Sequence, residues 1–104
     1  MLVINCNDQP KDSFQIVKVD DQVYFAILRN ENSRTYESMI ALSIPEVIKI
    51  IHDLKIGKIA EVFTDDSDMC INEDYVSVCD RIDNEICIGD TDFDKIVNYL
   101  EGVV

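Results

Sequence analysis

The pattern of apolar residues predicts an α+β fold, antiparallel sheet carrying two helices in the approximate order β-βββα-βββα. Three observations carry the prediction. Short runs rich in Val, Ile, Phe and Tyr alternate with Asp- and Asn-rich turns, the signature of antiparallel strands. Two longer stretches, opening near residues 44 and 92, space their apolar residues three and four apart, the helical period. A hydrophobic fraction of 47%, with 3 Gly and 2 Pro in 104 residues, supplies apolar surface for one core and would starve two, so 1–104 reads as a single acidic domain.

Leu2 to Cys6 is a first strand, followed by a polar loop from Asn7 to Ser13 that contains Pro10. Three strand-like runs come next, Phe14 to Val19, Val23 to Arg29 and Thr35 to Leu42, parted by Asp20-Asp21-Gln22 and by the cluster from Asn30 to Arg34. Such an order is an antiparallel meander. Its middle run, Val23-Tyr24-Phe25-Ala26-Ile27-Leu28, is apolar on both faces, as a central strand covered on both sides would be. Ser43 then opens a helix from Ile44 to about Ile56. Its hydroxyl can accept from the free N–H groups of the first turn, Glu46 completes a capping box, and Gly57 suits the position just past the end. Ile44, Val47, Ile48, Ile51 and Leu54 form the stripe that should pack on the meander.

The second half repeats the order with a strand near Lys58 to Thr64, an acidic loop, strands from Tyr75 to Ile82 and Glu85 to Gly89, and a helix from about Asp92 to Glu101. A three-residue loop at Asp83, Asn84 and Glu85 would let Ile82 face Ile86 and join the face of Val76, Val78 and Ile82 to Ile86 and Ile88. A two-residue loop would split those residues between faces, so the odd loop is preferred. The last helix buries Phe93, Ile96, Val97 and Leu100 and ends at Gly102. The two halves share no convincing sequence identity.

Charge is divided unevenly. Residues 1–60 hold eight acidic and seven basic side chains, net −1, whereas residues 61–104 hold thirteen and two, net −11. Such a field repels nucleic acid and anionic membranes and attracts a basic protein surface, which argues against direct DNA or RNA binding. No run reaches membrane-spanning length, and Met1 to Cys6 lacks the basic region and length of a signal segment. Cys6, Cys70, Cys79 and Cys87 match neither a C-x-x-C pair nor a zinc module, so they read as reduced thiols in a cytosolic protein.

Motifs that would carry chemistry are each better explained by structure. Asp90, Asp92, Asp94 and Glu101 occupy positions 1, 3, 5 and 12 of a calcium loop, but Lys95 stands where the sharp turn needs Gly, and Phe93, Ile96, Val97 and Leu100 are in helical phase. An acidic first helical turn accounts for the same carboxylates. Asp65, Asp66 and Asp68 could gather a divalent ion, yet the second half offers Arg81 and Lys95 alone to stabilise developing charge. His52, the single histidine, falls on the outer flank of the first helix. Phosphate-cradling, nucleophile-elbow and zincin motifs are absent, so neither enzyme activity nor a cofactor or metal is expected.

What remains is the acidic half as a binding surface. Carboxylates at alternate strand positions repeat every ~6.7 Å, near enough to phosphate spacing to imitate a row of nucleic-acid anions. In size and charge alone the chain resembles phage-borne anti-restriction and anti-CRISPR proteins, which implies an inhibitor masking a basic surface of a nuclease or other nucleic-acid-handling protein. The expected contact residues are Asp65, Asp66, Asp68, Glu73, Asp74, Asp80, Asp83, Glu85, Asp90, Asp92 and Asp94, with Tyr75 as an aromatic anchor. A toxin immunity protein would use the same surface, and a neighbouring toxin gene would distinguish it. A divalent-ion-responsive regulator built on residues 90–101 and a structural assembly subunit are the readings from other classes; oligomeric state is left open.

Overall fold

Alternation of apolar and polar residues through the first 43 positions builds one antiparallel sheet, of β1 (Leu2–Asn5), β2 (Ser13–Val19), β3 (Gln22–Glu31) and β4 (Arg34–Ser43), in the order β1-β2-β3-β4. The computed structural model describes residues 1–64, 67–73, 75–79 and 83–104, with 77–79 and 83 described by their backbone alone. Tight turns link the longer strands: Asn32 and Ser33 both take positive φ, 50° and 63°, as a two-residue hairpin matching the twist of its strands requires, and Asp20 sits at 55°. Phe14, Ile16, Val23, Phe25, Ile27, Ile40 and Leu42 point to one face and are buried. Phe14 and Phe25 meet edge to face, with ring centres 5.8 Å apart.

Helix α1 (Ile44–Lys55) begins as its sequence demands. The Ser43 hydroxyl accepts from the Glu46 N–H while Glu46 Oε1 accepts from the Ser43 N–H, and Gly57 takes φ +76° just beyond the end. Val47, Ile50, Ile51 and Leu54 are its buried residues, whereas Ile48 is exposed. The apolar stripe is thus centred one residue round from the expected one, because α1 packs on α2 (Asp90–Val103) and β5 (Ala60–Phe63) as well as on β3 and β4.

The second sheet has four strands where three were expected: β5 (Ala60–Phe63), β6 (Asp68–Ile71), β7 (Tyr75–Cys79) and β8 (Asp83–Cys87), again in sequential order. The extra strand lies inside the stretch read as an acidic loop. Asp68-Met69-Cys70-Ile71 alternates, and its inward Met69 and Ile71 are buried, which outweighs the acidic composition around it. Each half is therefore ββββα. The β7–β8 turn also moves. Val76 pairs with Ile86 and Cys79 with Asp83, so the strands already pair at residue 83, and residues 80–82 between them lie outside the described residues. Parity survives the shift, and Val76, Asn84, Ile86 and Ile88 are all buried, but Asp83, Asn84 and Glu85 are strand, and Ile82 lies outside the described residues.

The inner faces of both sheets and the buried stripes of both helices form one hydrophobic cluster. A polar link crosses it: Asn84 Oδ1 accepts from Arg29 at 2.8 Å, and Asn84 Nδ2 donates to the Ser38 hydroxyl at 2.5 Å, with Ser38 and Asn84 both buried. Coverage of β3 on both sides is not found. Val23, Phe25 and Ile27 are buried, while Tyr24, Ala26 and Leu28 on the opposite face are half-exposed. Helix α2 starts at Asp90 and runs through Gly102, two residues beyond each expected bound. Among the described residues, no helix is long and apolar enough to cross a membrane.

Candidate functional site

Alternation in the second sheet sends one set of residues into the core and the other outward. Ala60, Val62, Met69, Ile71, Val76 and Ile86 point in; Glu61, Phe63, Asp68, Cys70, Tyr75, Glu85 and Cys87 point out. Three of those seven outward side chains are carboxylates and none is basic. Register places Glu61 beside Cys70, Cys70 beside Ser77 and Ser77 beside Glu85, while Asp68 lies between Phe63 and Cys79. Phe63 is 70% exposed, an aromatic ring at the edge of an anionic face. Tyr75 occupies the start of β7, on the outward face.

Burial, the groups' effect on one another and the carboxylates beside them all act on the neutral titratable groups here. Burial, together with the charges of Glu61 and Asp68, pushes the Cys70 thiol up against the opposing effect of its bond to Tyr75. Tyr75 is pushed up by Cys70, through charge and hydrogen bond, and then by burial, Glu85 and Glu61. Cys87 is pushed up to about 12, first by its hydrogen bond to Asp8, then by burial and by the charges of Asp8, Cys6 and Glu85. A nucleophilic cysteine needs a cationic setting that lowers its pKa, the opposite of the direction at Cys70 and Cys87.

A second acidic group sits where β6 turns into β7 and α2 begins. Glu73, Asp90 and Asp94 surround Phe93 in a shallow hollow of about 260 Å³. Helix α2 fills the span where a calcium loop would have to be, so Asp90, Asp92 and Asp94 are carboxylates of a first turn, stabilised by the partial positive charge of the helix N-terminus. Asp92 is engaged twice, accepting from the Gly89 N–H at 3.4 Å and pairing with Lys95 at 3.7 Å. Glu101 pairs with Lys55 at 2.9 Å. Among the described residues the remaining ion pair is Arg29 with Glu31, which leaves Glu61, Asp68, Glu73, Asp90 and Asp94 without a bridging cation.

Of the residues expected from sequence to make contact, the structure brings Asp68, Tyr75 and Glu85 onto the sheet face and Glu73, Asp90 and Asp94 around Phe93. Asp92 caps its own helix. Asp83 pairs with Cys79 in β8, and Asp65, Asp66, Asp74 and Asp80 lie outside the described residues. Two residues were missed. Glu61 was legible, since Ala60-Glu61-Val62-Phe63 alternates and its polar position must face out. Asp8 was not, because its contact with Cys87 joins opposite ends of the chain. His52 is exposed on α1, as its helical phase implies. No known family, curated protein or solved structure matches the chain.

Proposed function

We propose that this chain is an acidic binding protein that masks a basic surface on a nuclease or other nucleic-acid-handling protein, in the manner of an anti-restriction or anti-CRISPR inhibitor. The observation that carries the reading is the outward face of the second sheet, where Glu61, Asp68 and Glu85 stand with no basic residue among the described strand positions and with Lys49 of α1 across a hollow at the Glu61 edge. Glu73, Asp90 and Asp94 add a second anionic area. Such a surface attracts a cationic groove over a long range and needs no catalytic group of its own. Phe63 and Tyr75 supply the aromatic contacts that give a steered complex its residence time.

Affinity capture from the native host, followed by a salt gradient, tests it. A basic nucleic-acid-handling protein released by moderate salt is the expected result, since screening at a Debye length of about 8 Å weakens the attraction. Capture that Glu61→Lys with Glu85→Lys leaves unchanged would remove the sheet face from the interface. A partner without a basic surface would overturn the function itself.

A further inference from the structure

The first sheet has an outward face of the opposite character. Its middle row runs Val3–Gln15–Ala26–Met39 across all four strands, and the next row carries Val17 beside Tyr24. Among the fourteen outward positions of β1 to β4 from 3–5, 13–19, 22–28 and 37–43, Glu37 alone is charged. Val3 is 47% and Met39 50% exposed, and neither helix packs over this face, because the helices bury their stripes in the core shared by the inner faces. A chain of net charge −12 has therefore kept one broad sheet surface almost free of charge.

We infer that this face seats a second copy of the chain, the two sheets packing face to face about a two-fold axis. Size is the first argument. With strands ~4.8 Å apart and a rise of ~3.3 Å per residue, the whole of β1 to β4 projects roughly 500 Å² per copy, so a pair covers about 1,000 Å², the least a specific interface needs, and side-chain relief adds to that figure. Charge is the second. Residues 1–60 carry net −1 and residues 61–104 net −11, so copies joined through the first sheet hold most of their like charge apart. A strongly charged partner would find little here to pair with, whereas a second copy has one carboxylate, Glu37, and a few polar side chains such as Gln15 and Gln22 to desolvate. The third is the pattern of β3. Val23 to Leu28 is apolar on both sides, a sequence suited to a strand covered twice, and the single chain covers it once.

Sedimentation velocity on the purified full chain tests this, the expected species having twice the 11.9 kDa mass of one copy. Because the two copies repel through their net charge, association should strengthen between about 0.15 M and about 0.5 M salt, opposite in sign to the capture of a basic partner. Ala26→Lys places a charge in the middle row and is expected to raise the dissociation constant at least tenfold, with an unchanged far-ultraviolet spectrum. Met39→Lys, at a half-exposed site, should do the same if Ala26→Lys fails to fold, and Glu61→Lys on the opposite side should leave the dimer intact. A monomer at about 100 μM chain would assign the face to some other occupant and overturn the inference. So would a dimer indifferent to Ala26→Lys and Met39→Lys, or one lost with Glu61→Lys.

Discussion

Asn84→Ala should be among the most costly polar substitutions in the chain, and its effect can be worked from the link between the sheets. The substitution removes an acceptor 2.8 Å from Arg29 and a donor 2.5 Å from Ser38. A bond to a charged donor contributes roughly 1.5–3 kcal/mol and a neutral one about 1 kcal/mol. The Arg29 side chain is 32% exposed and retains Glu31 at 3.4 Å, so water can recover part of its loss and the low end applies. Ser38, at 8% exposure, has less access to water and keeps the full penalty. Together these give about 2.5 kcal/mol, a large share of the 5–15 kcal/mol typical of a domain, and a fall in Tm of about 10–20 °C. Guanidinium unfolding followed by circular dichroism reads it as a lower midpoint at unchanged slope. A Ser38→Ala/Asn84→Ala cycle should return a coupling near 1 kcal/mol. If Asn84→Ala instead lay within about 0.5 kcal/mol of the parent, Asn84 would be behaving as a surface turn residue. The β7–β8 turn would then belong at residues 83–85, and the register given above would be wrong.

Three further outcomes follow from local geometry. Ser43→Ala removes the hydroxyl that accepts from the Glu46 N–H and should cost about 1 kcal/mol in the same unfolding assay; no loss would mean that the box does not hold the start of α1. Cys87 has its folded pKa raised from 9.0 to about 12, so its contribution to stability is whole below pH 9 and is lost as pH rises toward 12; Cys70 acts in the same direction. Melting temperature should therefore decline above pH 9, and Asp8→Asn should lower the Cys87 pKa and speed its alkylation at pH 8, followed per cysteine by mass spectrometry; an unchanged rate would remove Asp8 as the cause. Finally, Glu61→Lys with Glu85→Lys should weaken capture of a basic partner at least tenfold while shifting Tm by no more than about 3 °C, since both residues are exposed.

Legibility from sequence followed locality. The capping box at Ser43 and Glu46, the Gly57 stop and the strand alternation from Phe14 to Leu42 are interactions within a few residues, and all were readable. β6 was lost because its four residues lie in strongly acidic surroundings, and a strand of that length is secured by its neighbours β5 and β7 more than by its own propensity. The hairpin position failed for a related reason. Parity of the buried face constrains a loop to be odd but permits a shift in the turn, and the residue that decides it, Asn84, is buried because of Arg29 and Ser38 in the other sheet. At the candidate site, the acidic character was evident in composition, whereas its division into a sheet face and a helix start required the fold. Asp92 shows the limit of counting carboxylates, since its charge is spent on Gly89 and Lys95.

Register also explains how the second sheet carries so much acid without unfolding itself. Like charges directly opposite one another on adjacent strands are destabilising. No such pair occurs among the described pairings: Glu61 meets Cys70, Asp68 meets Phe63 and Cys79, Glu85 meets Ser77, and Asp83 meets Cys79. Glu61 and Glu85 share a row but stand three strands apart, ~14 Å at a spacing of ~4.8 Å, beyond a physiological Debye length of about 8 Å. By register, the uncharged residues Phe63, Cys70, Ser77 and Cys79 hold the positions between. Neighbouring bases would have neutralised the carboxylates equally well, and the first half of the chain, with its seven Lys and Arg, is balanced in that way. Spacing the acids among uncharged residues lowers their repulsion while leaving the anionic field open to solvent. That arrangement suits the proposed binding of a cationic partner, and a purely solubilising charge would not require it.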